Sequence, residues 1–208
     1  MELFIKICGI TNLDDAKLAA SYGANALGFI MYENSPRKIT KEEILDIVEE
    51  LPKEITPVMV FVNSSPQYVE SCLEVSPRLV PQFHGNETPE FCSSFNRDFI
   101  KAIRFSGEED LQSIFETYSK SRFLLVDSYQ KNDFGGTGKS FDWIYLEKEK
   151  FNKPYLLAGG LNPENVEKAL SIVSCAGLDV SSGVESFPGK KDSMKLKKFI
   201  QTARNFNG

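Results

Sequence analysis

The stretch "YLLAGGLNPENVEKALSIVSCAGLDVSS", residues 155–182, reads as strand, glycine loop, helix, strand. Two short apolar runs, "YLLAG" (155–159) and "LDVSS" (178–182), flank "NPENVEKALSIV", where a proline follows an asparagine cap and apolar residues recur at helical spacing. Two strands joined through a helix run parallel, because the crossover returns the chain to the same end of the sheet. One such unit fits any α/β fold; its repetition decides among them.

The alternation runs the length of the chain. Eight strands are expected: "LFIKIC" (3–8), "ALGFIM" (26–31), "PVMVFV" (57–62), "LVPQFH" (79–84), "FIKAIR" (99–104), "FLLVD" (123–127) and the two just quoted. Between them, "TNLDDAKLAASYG" ends in a glycine and "TKEEILDIVEELP" opens on a threonine with an acidic first turn. "EEDLQSIFETYSK" and "DSMKLKKFIQTARN" carry apolar residues three and four apart. The helices after strands three, four and six are less marked. Eight strand–helix units fit a closed barrel or an open doubly wound sheet, and 208 residues is at the small end of the barrel range. Polar, glycine-containing sequence follows most of the strand ends rather than one or two, which favours the barrel. The expectation is an α/β protein, a single (β/α)8 TIM barrel spanning 1–208, with its active site at the C-terminal ends of the strands.

Composition narrows the function classes. With 41 % hydrophobic and 25 % charged residues the chain is an ordinary globular one. A net charge of -5 argues against nucleic acid as a partner. No apolar run reaches the roughly 18 residues of a membrane span, and "MELFIKICG" lacks a basic region before a long apolar segment. The cysteines at 8, 72, 92 and 175 are too widely spaced for paired-cysteine metal or redox motifs. These features predict a cytoplasmic protein with free thiols that binds neither membrane nor nucleic acid. A single histidine disfavours hydrolytic triads and zinc sites, so no metal is expected.

Several residues at the strand ends bear chemistry, each with a plainer reading beside it. Cys8 ends strand one and shares a strand face with Lys6. It is either a small buried thiol or one whose thiolate is stabilised by Lys6 and the helix start in "GITNLDD". Asp127 ends strand six after four apolar residues; it caps a loop, or desolvation raises its pKa and keeps a proton on it. The loop "SYQKNDFGGTGKSFDW" (128–143) is glycine-rich like a phosphate loop or lid, but lacks P-loop spacing. Arg37 in "YENSPRKIT" can clamp a carboxylate or lie in solvent. His84 in "QFHGNE" is a structural hydrogen-bonder or a supporting residue at the mouth. "LAGGLNPENV" and "DVSSGVESFPG" follow the last two strands, where many barrels bind phosphate through backbone N–H groups. Gly159, Gly160 and Gly183 would let backbone approach the anion and Ser182 would add a hydroxyl.

Taken together, these motifs make the chain resemble the phosphoribosylanthranilate isomerases of tryptophan biosynthesis. The resemblance runs from end to end. It includes "KICGIT" (6–11), "ALGFIMYENSPRKI" (26–39), "VFVN" (60–63), "QFHGNE" (82–87), "LLVDS" (124–128), "GGTGKSFDW" (135–143), "LAGGLNPENV" (157–166) and "DVSSGVESFPGKKD" (179–192). It implies Cys8 as general base and Asp127 as general acid. It also implies Arg37 on the anthranilate carboxylate and a phosphate on Gly159, Gly160, Ser182 and Gly183, while His84, from its place at the end of strand four, is expected to support substrate binding. The implied reaction is an Amadori rearrangement of N-(5'-phosphoribosyl)anthranilate to 1-(2-carboxyphenylamino)-1-deoxyribulose 5-phosphate. It needs no cofactor, takes a phosphorylated small molecule as substrate, and would be run by a monomer or homodimer. Phe83 and Asn86 stand where leucine and aspartate are expected, and Pro81 sits awkwardly in strand four. Rival readings are the related isomerase of histidine biosynthesis, which uses two aspartates, a non-catalytic phosphate-binding barrel, and a thiol redox sensor.

Overall fold

Eight parallel strands close on themselves into a barrel. The computed structural model describes residues 2–128, 143, 146, 151 and 153–206. Most of the 128–143 loop and the helix expected after strand six lie outside the described residues. The strands are β1 (Phe4–Cys8), β2 (Ala26–Ile30), β3 (Thr56–Phe61), β4 (Val80–Phe83), β5 (Ile100–Phe105), β6 (Phe123–Ser128), β7 (Tyr155–Ala158) and β8 (Gly177–Val180). Each neighbours the next in sequence, and β1 closes the ring by pairing with β8, Lys6 opposite Asp179 and Ile7 opposite Val180. All eight expected strands are present to within one or two residues at either end.

Helices begin where side chains can satisfy the first free N–H groups. α1 (Leu13–Tyr22) is capped by Asn12 and stops at Gly23, whose φ of 102° is left-handed. α2 (Lys41–Glu50) opens with a capping box between Thr40 and Glu43. α3 (Pro66–Leu73), α4 (Pro89–Ser93) and α5 (Leu111–Thr117) are capped by Ser65, Thr88 and Asp110. α6 (Val166–Ile172) starts later than "NPENV" suggests, and α7 (Ser193–Asn205) is capped by Asp192. Among the described residues no helix is long and apolar enough to cross a membrane.

The alternation of strand side chains separates two cores. Outward residues such as Ile5, Ile7, Leu27, Phe29, Phe61 and Phe83 pack under the helices. Phe83 stacks on Phe61 and Phe95, so the position expected to hold leucine is absorbed into an aromatic cluster. Inward residues Ala26, Val58, Ile100, Ala102, Leu125 and Leu156 fill the barrel, and Phe4 packs on Phe123 at its floor with ring centroids 5.1 Å apart. Pro81 pairs with Met59 of β3, and β4 meets β5 at two positions only, Gln82 and Phe83. A proline without an N–H is thereby accommodated below the start of that ladder.

Along β1 the inward positions after Phe4 are Lys6 and Cys8, so the barrel turns from apolar to polar toward its C-terminal end. Lys6 is fully buried and its Nζ donates to Asp179 Oδ1 at 2.8 Å. This pair is the floor of the candidate site.

Candidate active site

The barrel mouth opens into a cavity of about 240 Å³. Seven residues singled out in the sequence line it: Cys8, Arg37, His84, Asp127, Gly159, Gly160 and Ser182. Gly183 is not among the lining residues. A Cβ there would stand 1.9 Å from the carbonyl oxygen of Leu161, so glycine at 183 lets the loops after β7 and β8 touch.

Cys8 faces Gly28 across the β1–β2 ladder. A Cβ at Gly28 would lie 2.7 Å from Cys8 Sγ and 2.9 Å from Lys6 Nζ, so the glycine makes room for thiol and ammonium side by side. Burial pushes the Cys8 thiol up; Lys6 and Lys191 pull it down, Asp179 adds to the burial effect, and the net direction is upward. This corrects the expectation that Lys6 and the helix start leave the thiol below its ordinary value. Asp179 already holds the ammonium, and α1 begins only at Leu13, where Asn12 takes up a free N–H by accepting from Asp15 at 2.9 Å. Burial opposes the charge on Lys6 too, but Asp179 and Cys8 together outweigh it and raise the lysine's pKa.

Asp127 extends from the end of β6, and its Oδ2 lies 3.1 Å from His84 Nε2. Its side chain is 32 % exposed, so the carboxyl is partly, not fully, withdrawn from water. The strand ends at the cavity mouth, where water reaches the carboxyl. His84 continues the β3–β4 ladder, its backbone N–H donating to Phe61 at 2.8 Å. The "GNE" that follows is held from below: Lys101 Nζ donates to the carbonyls of Phe83 and Gly85 and to Glu87, while Glu87 accepts from the N–H groups of Asn63 and Gly85. Lys101 and Glu87 are both buried, so this ion pair fixes the tip of β4 on which His84 stands.

Arg37 reaches the cavity from the loop after β2, but its fork is partly engaged. Nε donates to Glu185 at 2.9 Å and Nη2 at 2.7 Å, leaving both N–H groups of Nη1 without a partner among the described residues. Glu185 in turn accepts from Lys191 Nζ at 2.9 Å, and the same ammonium donates to the carbonyls of Cys8 and Ser181. Burial alone would raise Glu185; Arg37 and Lys191 together hold it below the ordinary carboxylate range. The Glu185–Lys191 pair, which the sequence reading missed, thus ties the ends of β1 and β8 to the arginine. Both residues lie within "SSGVESFPGKKD", and two opposite charges six residues apart across a proline–glycine turn were the available signal.

The loops after β7 and β8 bring Gly159 and Gly160, with φ of 86° and 65°, beside Ser182 at the head of a short 3-10 turn. Backbone free of side chains next to a hydroxyl suits an anion. Among the described residues no group of three or more His, Cys, Asp or Glu is placed to hold a metal ion. A thiol on β1 and a carboxyl on β6 therefore face one cavity that carries an arginine on one flank and an anion-compatible rim on another.

The family model described as N-(5'phosphoribosyl)anthranilate (PRA) isomerase matches residues 5–202. The chain belongs to the N-(5'-phosphoribosyl)anthranilate isomerase family. The N-(5'-phosphoribosyl)anthranilate isomerase of Nitrosococcus oceani is 41 % identical over 207 residues, 100 % of both chains. The crystal structure of phosphoribosyl anthranilate isomerase from Thermotoga maritima superimposes with a TM-score of 0.89 at 39 % identity, covering 98 % of this chain and 100 % of that one. A further phosphoribosyl anthranilate isomerase structure, in complex with reduced 1-(o-carboxyphenylamino)-1-deoxyribulose 5-phosphate, aligns with a TM-score of 0.86 at 37 % identity over 98 % of this chain and 100 % of that one. The isomerase family and the (β/α)8 barrel agree with what the motifs imply.

Proposed function

We propose that this family member carries out the isomerisation of N-(5'-phosphoribosyl)anthranilate to 1-(2-carboxyphenylamino)-1-deoxyribulose 5-phosphate, with Cys8 as general base and Asp127 as general acid. The observation that carries this reading is the meeting of Cys8 and Asp127 in one cavity from strands far apart in sequence. Asp127 gives its proton to the furanose ring oxygen, and the ring opens to a Schiff base. Cys8, as thiolate, removes the C2' proton to give an enolamine, which tautomerises to the ketone. No electrons are exchanged and no water is consumed, in keeping with a site built from one proton donor and one acceptor. Lys6 stabilises the thiolate against the cost of burial. The unengaged Nη1 edge of Arg37 takes the anthranilate carboxylate, and the rim at Gly159, Gly160 and Ser182 takes the phosphate, with Gly183 positioning the loop that carries Ser182.

Strand one also separates this reading from the histidine-pathway isomerase, because a cysteine stands where that enzyme has an aspartate. We assign residues 1–208 to one catalytic domain acting in the cytoplasm as monomer or homodimer. Purified protein given freshly made N-(5'-phosphoribosyl)anthranilate should consume it well above the uncatalysed rate, followed by fluorescence. A rate equal to the uncatalysed background refutes the assignment.

A further inference from the structure

We propose that Gln82 is a positioning residue that acts through His84 on Asp127, by fixing which imidazole nitrogen carries the proton. The inference rests on Asp127 being the acid. Gln82 lies in β4 and is fully buried, below His84 on the same inward face. A primary amide in a barrel wall is costly unless it is hydrogen-bonded. Its Nε2 lies 3.3 Å from His84 Nδ1, while its Oε1 has no partner among the described residues. The other imidazole nitrogen, Nε2, lies 3.1 Å from Asp127 Oδ2.

The three groups set one another's hydrogens. A neutral imidazole has one N–H, and Asp127 Oδ2 accepts both when the carboxyl is ionised and when its proton sits on Oδ1. Facing Asp127, Nε2 carries the hydrogen, so Nδ1 is the acceptor, and the Gln82 amide is the donor it needs. The consequence for catalysis appears when Asp127 hands its proton to the substrate from Oδ1. The charge left on the carboxylate then faces an N–H already aimed at Oδ2, and a hydrogen bond to an ionised acceptor is stronger than one to a neutral acid. The interaction therefore tightens as the proton leaves, which favours the transition state over the ground state. With the proton on Nδ1 instead, a bare lone pair would face the same oxygen and oppose the transfer.

His84 is the sole histidine of the chain, so histidine labelled with the heavy nitrogen isotope gives the spectrum of one imidazole. In the wild type, Nε2 should show the shift of a protonated, pyrrole-type nitrogen and Nδ1 that of a bare, pyridine-type one. Gln82→Met removes the donor at nearly constant volume. Both nitrogen shifts should move toward averaged values, and kcat should fall about tenfold, with KM changed less than about twofold. In a His84→Gln background the same change should cost nothing further, because its route to Asp127 is gone. A protonated Nδ1 in the wild type overturns the proposal, and that measurement needs no variant to fold. Unmoved shifts in Gln82→Met, or losses that add in the double variant, overturn it equally, the latter because the amide would then act on the ligand by itself. Wild-type protein with the expected tautomer but without turnover would refute the isomerase reading and the catalytic consequence, leaving the hydrogen-bond geometry standing.

Discussion

Lys6→Met tests the polar layer on which the site rests. Lys6 is fully buried, Asp179 is 8 % exposed, and the two atoms in contact are 2.8 Å apart. Methionine replaces the lysine stem at similar length, so the perturbation is chiefly the loss of one charge. Asp179 is then left in the barrel wall without its counter-ion, and breaking a buried pair in this way costs about 3–5 kcal/mol. Set against a typical stability of about 5–15 kcal/mol, the variant should still fold. At about 2–4 °C per kcal/mol for a chain of this size, its Tm should fall by about 6–20 °C in calorimetry. Lys6→Met/Asp179→Asn should recover part of the loss, because an unpaired buried amide costs about 1–3 kcal/mol. A second readout follows from the thiol. With the ammonium gone, burial and Asp179 both still push Cys8 up, so alkylation at Cys8 at a fixed, mildly alkaline pH should be slower than in the wild type. An unchanged Tm, or faster alkylation, would refute the reasoning.

Glu185 lies below the ordinary carboxylate value of about 4.3, so its contribution is present above that pH and lost as pH falls through the lower folded value. Glu185→Gln should therefore be less stable than the wild type at neutral pH, with the gap closing below about pH 4 in denaturant titrations. Arg37→Ala should chiefly raise KM with a smaller effect on kcat, since Nη1 is the part of its fork without a partner among the described residues. Gly28→Ala should lower both Tm and kcat, because its methyl meets Cys8 Sγ at 2.7 Å and overpacking costs about 1–3 kcal/mol.

The strands were legible because each is a short apolar run punctuated by glycine, proline or polar sequence, a local signal that does not depend on partners. The start of α6 was legible only in part. Asn162 Oδ1 accepts from the N–H groups of Glu164 and Asn165 as a helix cap does, but the segment from Pro163 to Asn165 is a turn, and regular helix begins at Val166. Cys8, Asp127, Arg37 and His84 were legible as residues because they end strands or sit in the loops after them, and a barrel gathers those ends. Their electrostatics were not, because these depend on long-range pairs. Lys6 meets Asp179 across 173 residues, and only the closing β1–β8 register joins them. Arg37 meets Glu185 across 148 residues. A lysine inside "FIKIC" and an aspartate inside "GLDV" each break an apolar run, and that shared oddity was the trace the pair left in the sequence.

The central claim is that one thiol and one carboxyl divide the proton transfers. Steady-state turnover of N-(5'-phosphoribosyl)anthranilate by wild type, Cys8→Ala and Asp127→Asn measures it most directly. Each substitution should lower kcat by about 100- to 10,000-fold while KM stays near the wild-type value. Near-normal kcat in either variant would contradict the account.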